Sequence, residues 1–399
     1  MCKYCTTSNT DYHVENNSKR HFLDTMMAGI GGSALLAGLP TQSFADVKDD
    51  RVKIGYLPIT DATALLLAHA QGYFKDEGLD ATRPTLIRGW SPLIEGFVAQ
   101  KFNLVHFLKP IPIWMRYKRK IPVKVMGWAH TDGSALVVGS HTTIKNYADL
   151  AGKQVAVPYW YSVHNILLQQ ALKDSGVTPV IQSASIPLKS NECNLQILPP
   201  PDMPIALASR KIDAYSVAEP FNALGELKAK AKVLRFTGDV WKNHPCCVVS
   251  MHEADTIAKP KWTQAVMNAI VRAQVDATEN TAEVAEILSR DGKGYLPAPK
   301  AVVQRAMTKY DKESYPEAIK HEEWNNNRIN FFGYPYPSAT KKIITDLKTT
   351  LVAGDNSFLQ DLDPDFVAKD LVNYDYITNA INKHVKNPPS LDREEVFEL

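Results

Sequence analysis

From Val52 onward the chain repeats one unit: a short apolar strand, a Gly or Pro stop, then a helix with a marked start. Val52-Lys53-Ile54-Gly55-Tyr56-Leu57 alternates as a strand does and Pro58 ends it. Asp61 to Gly72 has helical spacing through Leu65, Leu66, Ala68 and Ala70, and Leu93 to Gln100 adds an amphipathic helix. Val123 to Met126 and Ala135 to Gly139 read as further strands. Near Gly139 the chain is expected to change lobe, with a fresh strand leading to Pro158. Ser162 is an N-cap for a helix over Val163 to Ser175, which Gly176 and Pro179 end. Met203 to Arg210 and Ile212 to Val217 repeat helix and strand, and beyond about Ser250 the chain is mostly helical. Because parallel strands need a crossover between them, this alternation predicts α/β architecture with parallel sheets. At 399 residues, two lobes are expected rather than one.

Composition removes several function classes. Lys plus Arg (45) nearly equals Asp plus Glu (43), so no basic surface for nucleic acid is expected. The 45% hydrophobic content supports an ordinary core. Cys2, Cys5, Cys193, Cys246 and Cys247 do not form a disulfide framework. Met1 to Ala45 reads as a cleaved export signal: Lys19-Arg20 precedes a Gly/Ala-rich apolar run from Met26 to Pro40 and a small-x-small end at Ser43-Phe44-Ala45. The run is short for a membrane span. The Lys-Arg pair followed by Phe-Leu is similar to a twin-arginine signal, and the route is left open between that and the general pathway. The Cys2-Cys5 pair falls in this segment.

Five ordered blocks carry a resemblance. They are Ser162-Val163-His164-Asn165-Ile166-Leu167-Leu168, Leu198-Pro199-Pro200-Pro201-Asp202-Met203, Lys211-Ile212-Asp213-Ala214-Tyr215, Ala218-Glu219-Pro220-Phe221-Asn222-Ala223, and Asp239-Val240-Trp241-Lys242-Asn243-His244-Pro245. The chain resembles the solute-binding proteins of nitrate, bicarbonate and sulfonate (taurine) ABC transporters, nearest to the nitrate and bicarbonate branch. The resemblance implies a type II periplasmic binding protein: two Rossmann-like α/β lobes joined by a two-strand hinge and closing round a ligand. Lobe I is expected over 46–139 and 251–399, lobe II over 140–250. The implied function is periplasmic capture of a small anion for a membrane permease, by a monomer, with no enzymatic step and no cofactor. A sulfonate or a pyrimidine or vitamin precursor as ligand, or a ligand sensor without transport, stands as the alternative.

The resemblance also proposes a ligand site. Trp90 matches a pocket-lining tryptophan, Ser134 falls where the nitrate branch has a glutamine, and His164 matches a ligand-contacting histidine. Ser162 would supply a hydroxyl beside unpaired helix-start amides. Glu219 and Phe221 follow a strand end, where ligands of open α/β sheets sit. Tyr159-Trp160-Tyr161 could form the opposite wall or cover the hinge. At His244-Pro245-Cys246-Cys247 the chain departs from the pattern. The nitrate branch has a lysine and the bicarbonate branch a glutamate shortly after His-Pro; here Cys247 is expected in the pocket wall, which leaves the ligand's charge open. Arg88 and Lys109 are read as surface charges, and His106, His130 and His141 as loop or core residues. No zinc-spaced Cys/His set and no acidic ladder for calcium is present, so no metal ligand is assigned. The acidic tail Asp392 to Glu398 is read as a solvated end.

Overall fold

A computed structural model describes residues 49–308, 311–324 and 328–399. The segment Met1–Ala45, read from the sequence as an export signal, lies outside the described residues together with Cys2 and Cys5. Thirteen strands occur among those described: β1 Ile54–Tyr56, β2 Thr85–Leu86, β3 Leu104–Leu108, β4 Val123–Trp128, β5 Thr131–Asp132, β6 Ser134–Val138, β7 Gln154–Val157, β8 Thr178–Val180, β9 Glu192–Ile197, β10 Ala214–Ala218, β11 Lys232–Phe236, β12 Cys247–His252 and β13 Ile329–Asn330. They form a five-stranded sheet in the order β2-β1-β3-β12-β4 and a six-stranded sheet in the order β11-β6-β10-β7-β9-β8, while β5 and β13 pair separately. Within the first sheet β2, β1 and β3 run parallel and β12 runs against β3 and β4. In the second, β10, β7, β9 and β8 are parallel and β6 is antiparallel to β10. The alternation read in the sequence is therefore the alternation of two crossover-connected sheets.

The chain leaves the first sheet after β4, at Trp128, and enters the second at Ser134. It returns between Phe236 and Cys247. The first switch falls earlier than the expected Gly139, because Ala135 to Val138 pairs with β10 and β11. Alternation marks a strand but is silent about which sheet takes it. The turn at the switch is made by Asp132 and Gly133, both left-handed at φ 60 and 73. The return strand, expected near Val248 to Met251, runs from Cys247 to His252, and Cys247 already pairs with Leu108.

The functional edge follows from strand direction. After β1 comes Asp61, after β3 Lys109, after β7 Ser162 and after β10 Glu219. All four follow the carboxyl ends of parallel strands. Ser134, opening β6, pairs with Ala218 at the end of β10, and Cys247, opening β12, pairs with Leu108 at the end of β3. The two crossings thus begin at the same edges. Thr60 donates its amide to the Glu219 carbonyl at 2.8 Å, joining the edge of one sheet to that of the other.

The C-terminal tail is not a solvated end. Phe397 bridges to Trp241, the Lys242 amide donates to the Val396 carbonyl at 3.0 Å, and the Glu398 amide donates to the Val240 carbonyl at 2.8 Å. Glu395 accepts from Trp241 Nε1 at 2.7 Å and from Ser338 Oγ at 2.7 Å. Val396 and Phe397 give this acidic stretch an apolar face that a charge count overlooks.

Close packing sets the position of β1. Gly55 has no side chain to hold Phe102 and Leu93 away, and a Cβ there would stand 2.5 Å from Phe102 Cδ2 and 2.8 Å from Leu93 Cδ1. Gly55→Ala is expected to destabilise the protein by about 1–3 kcal/mol through overpacking. Urea unfolding checks this, and an unchanged midpoint would show that the strand can shift freely.

Candidate functional site

Where the two edges meet, a set of polar side chains is closed to water. Asp61 sits in the 3-10 turn Thr60–Ala62 that leads into the helix Thr63–Ala70, and it is fully buried. His130 lies between β4 and β5, and Cys246 and Cys247 lie at the start of β12; all three are fully buried. His130 Nε2 is 2.9 Å from Asp61 Oδ2. The Cys246 thiol donates to the same oxygen at 3.4 Å. One ligand-type atom from each of Asp61, His130, Cys246 and Cys247 lies within 4.8 Å of the others.

The second sheet reaches this cluster through His164 and Ser134. Ser162 caps the helix Val163–Asp174 by accepting the Asn165 amide at 3.1 Å, and this places His164 in the first turn. His164 Nε2 is 2.9 Å from Ser134 Oγ and 3.9 Å from Cys246 Sγ, and Ser134 Oγ is 3.6 Å from that sulfur. Thr237 Oγ1 donates to the Ser134 carbonyl at 3.0 Å and therefore accepts from His244 Nε2 at 2.7 Å. On the other side, the Trp90 ring meets His106 edge to face at 5.6 Å, and His106 Nε2 accepts the Leu57 amide at 3.0 Å.

Electrostatics follow from the burial. Burial pushes the Asp61 carboxyl up to about 6, Cys246 adding to the effect and His130 opposing it. Burial alone would pull His130 down, yet the Asp61 carboxylate carries it up to about 10. Burial would likewise raise the Cys246 thiol, but a hydrogen bond with Cys247 and the charge of His164 hold it well below the ordinary thiol range. Burial holds His106 down to about 3, with the charge of His130 adding to the effect. One fully buried cation, Lys109, is held down to about 7 by burial.

The six residues named from the sequence divide. Ser134, His164 and Cys247 lie together in the cluster, with Trp90 beside it through His106. The other two have protein partners. Ser162 donates its hydroxyl to the Tyr159 carbonyl at 2.7 Å as well as capping the helix. Glu219 Oε1 accepts from Arg328 Nε at 2.7 Å, and Oε2 accepts the Ala223 amide at 3.0 Å. Arg328 also reaches Glu226 Oε2 at 3.2 Å, and Glu226 is held by Arg305 at 2.8 Å. Burial pushes the Glu219 carboxyl up and Arg328 draws it back.

Several residues were placed elsewhere by the sequence reading. Lys109 is not a surface charge; it is wholly buried at the carboxyl end of β3, its amide donating to the Cys246 carbonyl at 2.9 Å. Arg88 is exposed and meets Asp202 at 3.3 Å. Asp61, His106 and His130 lacked any spacing signal, and their place beside Cys246 and Cys247 arises from four segments far apart in the chain. Asp61, His130, Cys246 and Cys247 together form a group that could hold a metal ion, which no spacing in the sequence marks. Tyr161 packs on Trp114 at 5.9 Å and Phe358 at 6.3 Å. A cavity of about 620 Å³ lies apart from the predicted residues, lined by Trp128, Gln274, Phe331, Phe332, Tyr336 and Arg393 among others. Its walls are mostly apolar, with Arg393 stacked over Trp128 and Tyr336 at 4.8 and 4.6 Å.

Similarity to known proteins accords with this geometry. The NMT1-like family matches residues 45–289. The nitrate/nitrite binding protein NrtA of Nostoc sp. is 26% identical over 77% of this chain and 72% of its own. The nitrate/nitrite binding protein NrtA of Synechococcus elongatus is 23% identical over 60% of this chain, which spans only 58% of that relative. Among solved structures, the periplasmic nitrate-binding protein NrtA from Synechocystis PCC 6803 superposes with a TM-score of 0.72 at 18% identity, covering 87% of this chain and 94% of the other. The alkanesulfonate-binding protein SsuA from Xanthomonas axonopodis pv. citri bound to MOPS gives 0.56 at 15% identity, over 83% and 97%. The desulfurization enzyme DSZB gives 0.52 at 14% identity, over 84% and 100%. The fold is that of periplasmic binding proteins, as the sequence predicted, and the neighbours include one enzyme among solute-binding proteins. Among the described residues no helix is long and apolar enough to cross a membrane.

The Glu219–Arg328 pair generates a prediction. Arg328→Met leaves a buried carboxylate without its counter-charge and is expected to cost about 3–5 kcal/mol. The double variant Glu219→Leu/Arg328→Met is expected to regain most of that loss. Equilibrium denaturation of the wild type, Arg328→Met, Glu219→Leu and the double variant decides the matter, and simply additive losses would contradict the pairing.

Proposed function

The chain belongs to the NMT1-like family, and from that premise we propose that it is the solute-binding component of an ABC importer, capturing a small nitrate- or bicarbonate-like anion between its two sheets. It is exported behind the segment Met1–Ala45, acts in the periplasm as a monomer, and hands its ligand to a membrane permease without transforming it. Each sheet anchors one lobe, and the crossings near 128–134 and 236–247 act as the hinge. Ligand that touches both lobes stabilises the closed arrangement, so capture is a shift in population and requires no chemistry at the ligand.

One observation carries the anion reading. Lys109 Nζ is buried with no hydrogen-bond partner among the described residues, at the carboxyl end of β3. Trp90 Nε1 and His164 Nδ1 are also buried without partners among them. A buried donor left unsatisfied costs about 1–3 kcal/mol, more when charged, and an anion would satisfy such donors. Charge in the cleft then comes from Lys109, in place of the lysine that the nitrate branch carries after His-Pro.

Calorimetry and thermal shift with nitrate, nitrite, bicarbonate, taurine and an alkanesulfonate test the reading. Nitrate or bicarbonate is expected to raise the melting temperature. Lys109→Met is expected to abolish that response, and Trp90→Ala and His164→Ala to weaken it. A chain indifferent to the whole panel, or a Lys109→Met variant that binds as before, would sink the proposal.

Lys109 also fixes the pH dependence. Its folded value of about 7 lies below the ordinary lysine value, so between about 7 and 10 the unfolded chain binds the additional proton. Stability of the ligand-free protein is therefore expected to rise with pH across that window, and this component should vanish in Lys109→Met. Anion binding needs the ammonium form, so affinity is expected to fall about tenfold per pH unit above 7. Calorimetry at several pH values checks the slope; a flat profile contradicts the role.

A further inference from the structure

The geometry points to a binding site for one thiophilic metal ion of the zinc class, held by Asp61, His130, Cys246 and Cys247. This inference does not depend on which solute the cleft captures.

Four donor atoms of metal-ligating type, one each from Asp61, His130, Cys246 and Cys247, converge within 4.8 Å where water is excluded. His130 Nδ1 lies 3.3 Å from the Thr131 carbonyl, which only accepts, so Nδ1 carries a proton. The remaining nitrogen, Nε2, stands 2.9 Å from Asp61 Oδ2 without an aligned hydrogen bond. In the ligand-free site the charged ring pairs with that carboxylate, and a metal ion entering between them takes the place of the proton. Asp61 Oδ1 has no hydrogen-bond partner among the described residues either. These atoms are open to a cation, and the two thiols make it a soft one.

Size and donor type agree. Tetrahedral zinc with sulfur, nitrogen and oxygen ligands separates those atoms by about 3.3–3.8 Å, given its usual bond lengths. The observed separations are 2.9 Å for Asp61 and His130 and 3.4 Å for Asp61 and Cys246, with the whole set inside 4.8 Å. Side-chain movement of about 1 Å suffices to complete the shell. Two thiolates and an imidazole select zinc-class ions over calcium or magnesium, which require oxygen ligands. Each coordinating thiol exchanges its S–H bond for a metal–sulfur bond and gives its proton to solvent.

Outer contacts are also built. The Thr131 carbonyl orients the His130 ring, and Ser134 and His164 stand 3.6 and 3.9 Å from Cys246 Sγ. The four ligating residues come from the first sheet and the two crossings. Only the outer contacts come from the second sheet. An ion held this way stays with the first lobe while the second opens and closes over it, so it is a resident of the site.

The test uses the full chain without a histidine tag, carrying Cys2→Ser and Cys5→Ser to remove the N-terminal thiols, reduced and stripped with chelator. Added Co²⁺ is expected to give a thiolate-to-metal charge-transfer band at one ion per chain. Zn²⁺ should displace it, whereas Ca²⁺ and Mg²⁺ should not. Cys246→Ser, Cys247→Ser and His130→Gln should each lower zinc affinity at least 10- to 100-fold with circular dichroism unchanged, and Cys193→Ser should leave it intact. A folded parent chain without the cobalt band overturns the inference, with no variant needed; it would mean that a proton alone joins His130 to Asp61. A band that survives Cys246→Ser/Cys247→Ser overturns it as well. Neither result bears on the anion panel, which contains no metal.

Discussion

The carboxyl ends of two sets of parallel strands face one another in this protein, and the site depends on that constraint. Every parallel strand delivers the residue after it to the same edge. β1, β3, β7 and β10 therefore send Asp61, Lys109, Ser162 and Glu219 to a common region although up to 158 positions separate them. The two crossings start there too, and they bring Ser134 and Cys247 to the same region. Helix starts add unpaired amides and the helix dipole at the same place.

Removing these groups from water forces them to find partners or change protonation. Glu219 and Arg328 answer by pairing, and Glu226, Arg305 and Tyr315 extend the pair into a network at the end of β10. That network fastens the second sheet to the segment beginning at Arg328. Asp61 and His130 answer by shared charge, with Cys246 beside them. Lys109 has neither option among the described residues and is shifted toward its neutral form. The contrast separates the structural ion pair from the groups free to meet a ligand.

The fold was legible because its signals are local. Alternation marked the strand around Ile54, a serine before an apolar helix marked the cap at Ser162, and Gly or Pro marked most stops. Within the candidate site, His164 was legible through one ordered block, and Trp90, Ser134 and Cys247 through positions matched to the family pattern, Cys247 as a departure from it. Their partners were not. Asp61 reads as the first residue of a helix, His106 and His130 as loop or core histidines and Lys109 as a surface cation. None of these descriptions changes when the residue joins a buried cluster, since burial depends on what other segments bring. Ser162 and Glu219 show the reverse case: the right edge was chosen, but neighbouring groups had already taken up their polar atoms.

By itself the sequence determined the alternation of strands and helices, the near balance of charge, and the adjacent cysteines after His244-Pro245. Those are properties of single segments, set by side-chain periodicity and backbone preference. Only the tertiary structure decided that Ala135 to Val138 joins the second sheet, that Lys109 loses its water, and that Asp61, His130, Cys246 and Cys247 share one point. Strand pairing and desolvation act between segments far apart in the chain, and their energies depend on distances that no local pattern encodes.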